Sequence, residues 1–244
     1  MLVNIDAKGL EWVTIVWLAQ DPVGIAEIVS GVDQHAVNQA AFGLPDRTTA
    51  KIFVFRLIYG GSKWAYCLDP AFNWISSNPE FWQDIIDKFY AKYKGIALIH
   101  NSWVKRAMET GELVMPTGRI YKFRPTRNKR GELEWPRTKI LNYPVQGTGH
   151  DFVTVARVSL YKRIKAHDRF KNSISFVSTV HDSIVLDVME QVGRGKQFDE
   201  LVSIIRGVFR DINSNCNRLW GFDLNLQICC DIKYGPNLLD MKAV

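Results

Sequence analysis

The sequence predicts an α+β fold in which a block of helices interrupts an antiparallel sheet. β-rich runs occur near both ends of the 244-residue chain, and helical patterns fill the region between them. The first run covers residues 2–5 and ends at Asp6, and two later runs, 174–180 and 184–189, are separated only by a short turn. Because runs joined so closely form a hairpin, we expect a sheet built from both ends of the chain, with helices on one face.

Capping residues, glycines and prolines mark the limits of the predicted helices. Residues 10–20 form the first helix, which Asp21-Pro22 ends. Asp46 is the expected N-cap of a long helix that reaches Tyr59 before Gly60-Gly61. Further helices are expected at 32–42, 79–94, 102–110, 151–166 and 198–219, with a hairpin at 115–123 and a last strand at 224–232.

The composition excludes several classes of protein. Hydrophobic residues make up 47% of the chain and aromatic residues 12%, which is typical of a globular protein rather than a disordered one. No apolar run approaches the ~20 residues that span a bilayer, and no signal-peptide pattern precedes Asp6. The four cysteines lack metal-ligand spacing and suit reduced thiols. We therefore expect a cytoplasmic protein without membrane contact.

The net charge of +6 is concentrated in one basic stretch, residues 119–139. This stretch also contains Tyr121, Phe123 and Trp135, and only two glutamates. It can attract a polyanion and stack on bases, whereas a solvated loop is the plain alternative. Its basic residues are Arg119, Lys122, Arg124, Arg127, Lys129, Arg130, Arg137 and Lys139.

A second pattern places Arg47, Lys51, Phe55 and Tyr59 at four-residue intervals, followed by Gly60. Four residues advance ~400° on a helix, so these side chains form one line, the 47–59 stripe. Cations one turn apart repel each other, and a bound phosphate between them would reverse that effect. The free N–H groups at the start of the helix favour the same anion, and the aromatic rings offer flat surfaces for a base. The stripe therefore predicts a site that runs from phosphate to base.

Asp6 and Asp182 form the candidate metal site. Asp6 ends a strand and Asp182 lies in the hairpin turn, so both carboxylates stand at strand ends. Two such carboxylates can hold two Mg²⁺ ions roughly 3.5–4 Å apart. The chain has three His-Asp pairs, and only His181-Asp182 is flanked by β-rich runs. An ordinary turn aspartate is the alternative interpretation of Asp182.

These patterns together resemble family A DNA polymerases, the group of bacterial polymerase I and its phage relatives. The segment Asp6-Ala7-Lys8-Gly9-Leu10-Glu11 resembles the first catalytic motif of that family, the 47–59 stripe the second, and Val180-His181-Asp182 the third. The segment 142–148 resembles the part that faces the minor groove of the primer–template. The motifs occur in the family's order over nearly the whole chain.

The resemblance implies a role for each matching residue. Asp6, Asp182 and the Ala7 carbonyl would hold the metal ions. His35, Arg47 and Lys51 would bind the triphosphate, and Lys51 would also give a proton to the pyrophosphate. Phe55 would pack on the incoming nucleotide and Tyr59 where the templating base enters. Asn142 and Gln146 would read the minor groove, and His181 would steady the primer end. Arg119 and Arg137, in the basic stretch, are the remaining candidate DNA contacts.

Glu11 favours a deoxynucleotide substrate, because a bulky carboxylate there would occupy the space of a ribose 2′-hydroxyl. Phage-type RNA polymerases resemble this chain in the stripe and in Ser183, but usually have a small residue at the gate and Met at position 55. A fragment of such an RNA polymerase, and a DNA-binding subunit without catalysis, are the two alternatives. Ser183 and Lys8 depart from the DNA polymerase pattern, in which Glu commonly stands at the former position.

The resemblance also divides the chain into parts of a polymerase. Residues 1–21 and 116–244 would be the palm, and residues 22–115 the fingers. The family places its exonuclease domain and thumb before the first motif, and Met1 lies just five residues ahead of Asp6. We therefore expect a separate thumb and exonuclease polypeptide, as in a split, phage-encoded enzyme; a fragment of a longer chain is the competing explanation. The expected substrates are primer–template DNA and dNTPs.

Overall fold

The computed structural model describes residues 1–128 and 130–244. These residues form two compact units. The sheet unit contains Met1–Leu10 and Thr148–Val244, and the helical unit contains Glu11–Gly147. Within the described part of the chain, every helix is too short or too polar to cross a bilayer.

The strands of the largest sheet lie toward the two ends of the chain, as predicted, and shorter strands lie between residues 112 and 134. They are β1 Leu2–Ala7, β2 Glu112–Val114, β3 Ile120–Lys122, β4 Thr126–Arg127, β5 Leu133–Glu134, β6 Ile174–Val180, β7 Ser183–Val188, β8 Cys230–Gly235 and β9 Lys242–Ala243. The helices are α1 Leu10–Ala19, α2 Pro22–Ser30, α3 Gln34–Phe42, α4 Arg47–Ile58, α5 Lys63–Cys67, α6 Pro70–Asn73, α7 Pro79–Lys92, α8 Lys94–Thr110, α9 Arg137–Ala166, α10 Gly195–Arg210 and α11 Ile212–Trp220.

The sheet unit is built on an antiparallel sheet with the strand order β6-β7-β1-β8-β9. Side chains alternate between its two faces. The inner face carries apolar residues such as Ile5, which pairs with Ile184 and Ile232, and all three are buried. Helices α9 and α10 cover this inner face, since Tyr161 contacts Phe176 and Phe198 contacts Tyr234. The outer face carries the polar residues of the candidate site.

The helical unit has an aromatic core. Phe53 of α4 contacts Tyr66 of α5 and Trp82 of α7, with ring centroids 4.9 and 6.2 Å apart. All three rings are fully buried, and the Tyr66 hydroxyl donates a hydrogen bond to the Phe53 carbonyl. Burial of large rings and edge contacts between them supply much of the stability of such a core.

Asp21 joins two helices of the same unit. One carboxylate oxygen accepts hydrogen bonds from the backbone N–H groups of Val23 and Gly24, and the other accepts from Gly95 and Ile96. It thus caps α2 and α8 together while it is completely buried. A buried carboxylate without such partners would be costly, so these bonds fix the position of both helix ends.

The predicted α+β class, with an antiparallel sheet and helices on one face, is confirmed. Several predicted limits are wrong. The first helix does end before Asp21-Pro22 as predicted, but Pro22 begins α2, a helix that was not predicted, because Pro suits the first position of a helix. Helix α9 begins at Arg137, fourteen residues before the predicted start, and accommodates Pro144. The predicted helix 198–219 is divided at Asp211, and residues 224–229 lie outside the last strands. The palm and fingers limits stay a prediction.

Candidate active site

The hairpin and the first strand bring Asp6 and Asp182 together within the sheet unit. Asp6 pairs with Ser183 across the β1–β7 ladder, and the Ala7 N–H donates a hydrogen bond of 3.0 Å to the Asp182 carbonyl. His181 begins the two-residue turn with φ of 54°, a left-handed conformation that few residues other than glycine adopt. Such strain in a turn between two strands is a common feature of functional sites.

The Asp6 carboxyl group lies in a field that disfavours its charge. Burial raises its pKa above the ordinary value, and the neighbouring Asp182 charge, a hydrogen bond with the Asp182 carboxyl and the Asp231 charge raise it further. Lys233 acts in the opposite direction. The two carboxyl groups are therefore close enough to share a hydrogen bond, and a cation between them would remove the repulsion.

Asp231 is a neighbour of Asp6 that sequence reasoning missed. It lies on β8 directly opposite Asp6, so both side chains point from the outer face. The same row across the sheet continues through Ser183 to Val180 on β6. Among the described residues, however, no group of three or more His, Cys, Asp or Glu side chains is arranged to hold a metal ion. The candidate ligands thus remain the pair Asp6 and Asp182, with Asp231 beside them.

The 47–59 stripe lies on the open side of α4. Arg47 and Lys51 are exposed and Phe55 and Tyr59 are half-buried, whereas the opposite side of the helix is buried. The Lys51 Nζ lies 6.0 Å from the centre of the Phe55 ring. Asp46 caps the helix as predicted, because its carboxylate accepts a hydrogen bond from the Thr49 N–H. The stripe is therefore not part of the core.

His35 of α3 lies beside the stripe. Its ring is buried 5.7 Å from the Phe55 ring, and its Nδ1 has no hydrogen-bond partner in the described structure. Burial lowers its pKa below the ordinary value, and the charges of Arg47 and Lys51 lower it further. Burial and the two neighbouring cations thus favour the neutral form of the His35 imidazole.

Arg47 already has an anionic partner. Its Nε donates a hydrogen bond of 2.5 Å to the Asp33 carboxylate, which also caps α3 through the N–H groups of His35 and Ala36. The guanidinium holds the pKa of Asp33 below its usual range. A phosphate at this position would compete with Asp33 for Arg47.

Helix α4 ends at Ile58, one residue before Tyr59. Gly60 has φ of +86°, and a Cβ there would lie 3.3 Å from the Thr138 Cα, at the start of α9. Glycine is therefore required both for the backbone conformation and for the close approach. This contact fixes where α4 ends and hence where Tyr59 lies.

Asn142 and Gln146 lie one turn apart on α9, where Asn142 is half-buried and Gln146 exposed. The β2–β3 hairpin packs on this turn, because a Cβ on Gly147 would overlap the Tyr121 hydroxyl and would lie 3.2 Å from the Arg119 side chain. Arg119 is thus placed next to the helical turn that presents Gln146.

The other predicted DNA-contact residues lie on exposed positions. Arg137 begins α9. Its positive charge, together with burial, lowers the pKa of His100, and it opposes the rise that burial causes in the pKa of Tyr90. The other described lysines and arginines of the basic stretch are exposed, whereas Phe123 is buried, and Lys129 lies outside the described residues. Glu11 is half-buried in the first turn of α1, five positions after Asp6, and Lys8 is exposed.

Comparison with known proteins identifies the family. The sequence profile of DNA polymerase family A matches residues 1–239. The chain belongs to DNA polymerase family A. The family resemblance inferred from the motifs is thereby confirmed.

Curated relatives of this family A chain are bacterial DNA polymerases I. That of Chloroflexus aurantiacus is 22% identical over 247 residues, which cover 98% of this chain and 24% of the relative. That of Lactococcus lactis is 26% identical over 201 residues, which cover 77% of this chain and 22% of the relative. The chain spans about a quarter of the length of the relatives it matches.

A solved structure shows the same fold. The POL domain of Pol1 from M. smegmatis, in complex with a DNA primer-template and dNTP, matches 96% of this chain with a TM-score of 0.77 and 20% sequence identity. The match covers 39% of that chain. The family A polymerase fold of the present chain is therefore shown.

Proposed function

We propose that this chain is the catalytic part of a template-directed DNA polymerase that adds dNTPs to a primer 3′-hydroxyl. The proximity of the Asp6 and Asp182 carboxyl groups carries the proposal, since the two residues are 176 positions apart in the sequence and Asp182 immediately precedes Ser183, the strand partner of Asp6. Family membership and the fold of a polymerase domain support it.

Two Mg²⁺ ions fit the carboxylate pair chemically. Burial and the neighbouring Asp182 charge raise the pKa of the Asp6 carboxyl, and two adjacent carboxyl groups form a donor set suited to a hard divalent cation. Asp6, Asp182 and the Ala7 carbonyl would hold the ions. When bound, such ions favour the deprotonated primer hydroxyl and neutralise the phosphates. The primer 3′-hydroxyl would lose its proton to water, its oxygen would form a bond to the α-phosphorus of the dNTP, and the bond from that phosphorus to pyrophosphate would break.

The 47–59 stripe would bind the incoming nucleotide in this proposal. Arg47 and Lys51 would contact the triphosphate, with His35 as a hydrogen-bonding neighbour that needs no charge. Lys51 would give the proton that the leaving pyrophosphate takes up. Phe55 would pack on the sugar and base, and Tyr59 at the template position.

The remaining predicted residues would position the DNA and select the sugar. Asn142 and Gln146 would contact the minor groove from α9, Arg119 and Arg137 the phosphate backbone, and His181 the primer end. Glu11 would exclude a ribose 2′-hydroxyl. Measured incorporation of dNTPs and rNTPs distinguishes this enzyme from an RNA polymerase, and Glu11→Ala should bring the two rates closer.

In this proposal residues 1–21 and 116–244 act as the palm and residues 22–115 as the fingers. We propose a separate thumb and exonuclease polypeptide, and a longer form of the same polypeptide is the alternative. Mixing this chain with a candidate thumb–exonuclease protein should give co-elution and faster primer extension. Neither effect would appear if the split arrangement is wrong.

Primer extension with the purified chain tests the central proposal. The wild type should extend a primer by one templated nucleotide in Mg²⁺ and dNTP, and Asp182→Asn should not. The matched control is Asp187→Asn, which changes an exposed carboxylate on the same strand β7. A DNA-binding subunit without catalysis would bind primer–template but give no product with any variant.

A further inference from the structure

We propose that Lys233 binds a phosphate of the primer strand next to its 3′ end, an inference that rests on the proposed function. Lys233 lies on β8 of the sheet unit and is exposed. Nothing in its sequence surroundings marks it as a site residue, because its position relative to Asp6 depends on the strand register.

The register places Lys233 beside the carboxylates. Asn4 pairs with Lys233 and Asp6 with Asp231, so these four side chains share the outer face in two adjacent rows. Diagonal neighbours in such a ladder lie roughly 7–8 Å apart. A lysine side chain can span that distance. Lys233 is thus about one nucleotide away from the atoms that would take part in the reaction.

The outer face around Lys233 is open to a large ligand. The covering helices α9 and α10 pack on the inner face through Tyr161 and Phe198. On the outer face, Ser175, Asp187, Asp231 and Lys233 are all exposed. Asn4 lies directly opposite Lys233 on β1 and is half-buried. The outer face therefore presents an exposed cation next to the candidate site.

The charge balance favours a phosphate as the partner of Lys233. Without metal ions, the positive charge of its ammonium group partly balances the negative charges of the Asp6 and Asp231 carboxylates. With divalent cations at the carboxylates, the ammonium would be a further positive charge near them, and an anion close by would relieve the repulsion. A primer whose 3′ end lies at Asp6 and Asp182 supplies such an anion in the phosphate of its last nucleotides.

Primer–template binding measured by fluorescence anisotropy at several salt concentrations tests the proposal. Lys233→Ala should weaken binding about 3–10-fold and reduce the slope of log K against log salt by about 0.9, as expected for one lost phosphate contact. Lys233→Arg should retain both. The control Lys196→Ala removes an exposed lysine of α10, the helix that covers the inner face, and should change neither.

Neutral methylphosphonates in the DNA identify the strand. If one replaces the primer phosphate nearest the 3′ end, wild type and Lys233→Ala should bind with equal affinity; the same change in the template strand should leave their difference intact. Equal affinity and salt slope for the two proteins on unmodified DNA would overturn the inference, as would a difference that only template methylphosphonates remove. A wild type that neither binds nor extends primer–template would instead contradict the proposed function.

Discussion

The two compact units assemble their candidate functional residues in different ways. In the sheet unit, Asp6, Asp182 and Asp231 come from distant parts of the sequence and meet because of strand register. In the helical unit, the 47–59 stripe follows from the period of the single helix α4. Helix periodicity is visible in the sequence, whereas register depends on which strands pair. The residues missed by sequence reasoning, Asp231 and Lys233, are accordingly both in the sheet unit.

The largest effect is expected for the carboxylates of the sheet unit. Asp6→Asn should reduce single-nucleotide incorporation about 10³-fold or more, since loss of a metal ligand removes roughly 4 kcal/mol of transition-state stabilisation. Asp231→Asn should cost less, because Asp231 is a neighbour of the ligand pair. Rapid-quench primer extension measures both. Equal losses for Asp6→Asn and Asp231→Asn would mean that the strand register places three equivalent ligands.

The next effect concerns how the helical unit is held together. Asp21→Ala should lower the free energy of unfolding by about 2–4 kcal/mol, because four backbone N–H groups at two helix ends lose their acceptor. Urea unfolding followed by circular dichroism measures the loss. Asp46→Ala removes the cap of α4 alone and should cost less. Equal losses in the two variants would show that Asp21 does not join α2 and α8.

Acid should weaken the helical unit through His100. Burial lowers the pKa of His100 to about 3, so between that value and its ordinary 6.5 the unfolded chain binds a proton that the folded chain does not. The free energy of unfolding should therefore fall by roughly 2 kcal/mol between pH 7 and pH 5 through this group. His100→Gln should remove that part of the pH dependence, and the exposed His150→Gln should not. Identical pH profiles for the wild type and His100→Gln would contradict the assignment.

The smallest effect is expected at Arg47. Asp33→Asn keeps a good N-cap for α3 but removes the charge that binds Arg47. The guanidinium is then available to a triphosphate, and KM for dNTP should fall about 2–5-fold, the range of an exposed ion pair. Steady-state primer extension at varied dNTP checks this. A higher KM would show that Asp33 orients Arg47 toward the nucleotide instead.

Much of the fold could be predicted because local signals are strong in this chain. Asp46 and Gly60-Gly61 define α4, and the short turn at His181 defines the hairpin. Helix α9 was predicted too short, because Pro144 usually breaks a helix and its tolerance depends on tertiary packing. Local signals also gave no indication of the β1–β8 pairing, which depends on burial of Ile5 and Ile232 on one face.

A titration of Mn²⁺, followed by electron paramagnetic resonance, tests the central claim that Asp6 and Asp182 act as one cation site. Wild type should bind Mn²⁺, and Asp6→Asn, Asp182→Asn and the double variant should all lose that binding to a similar extent. The control Asp187→Asn should bind like the wild type. Retention of wild-type Mn²⁺ affinity by the double variant would contradict the claim.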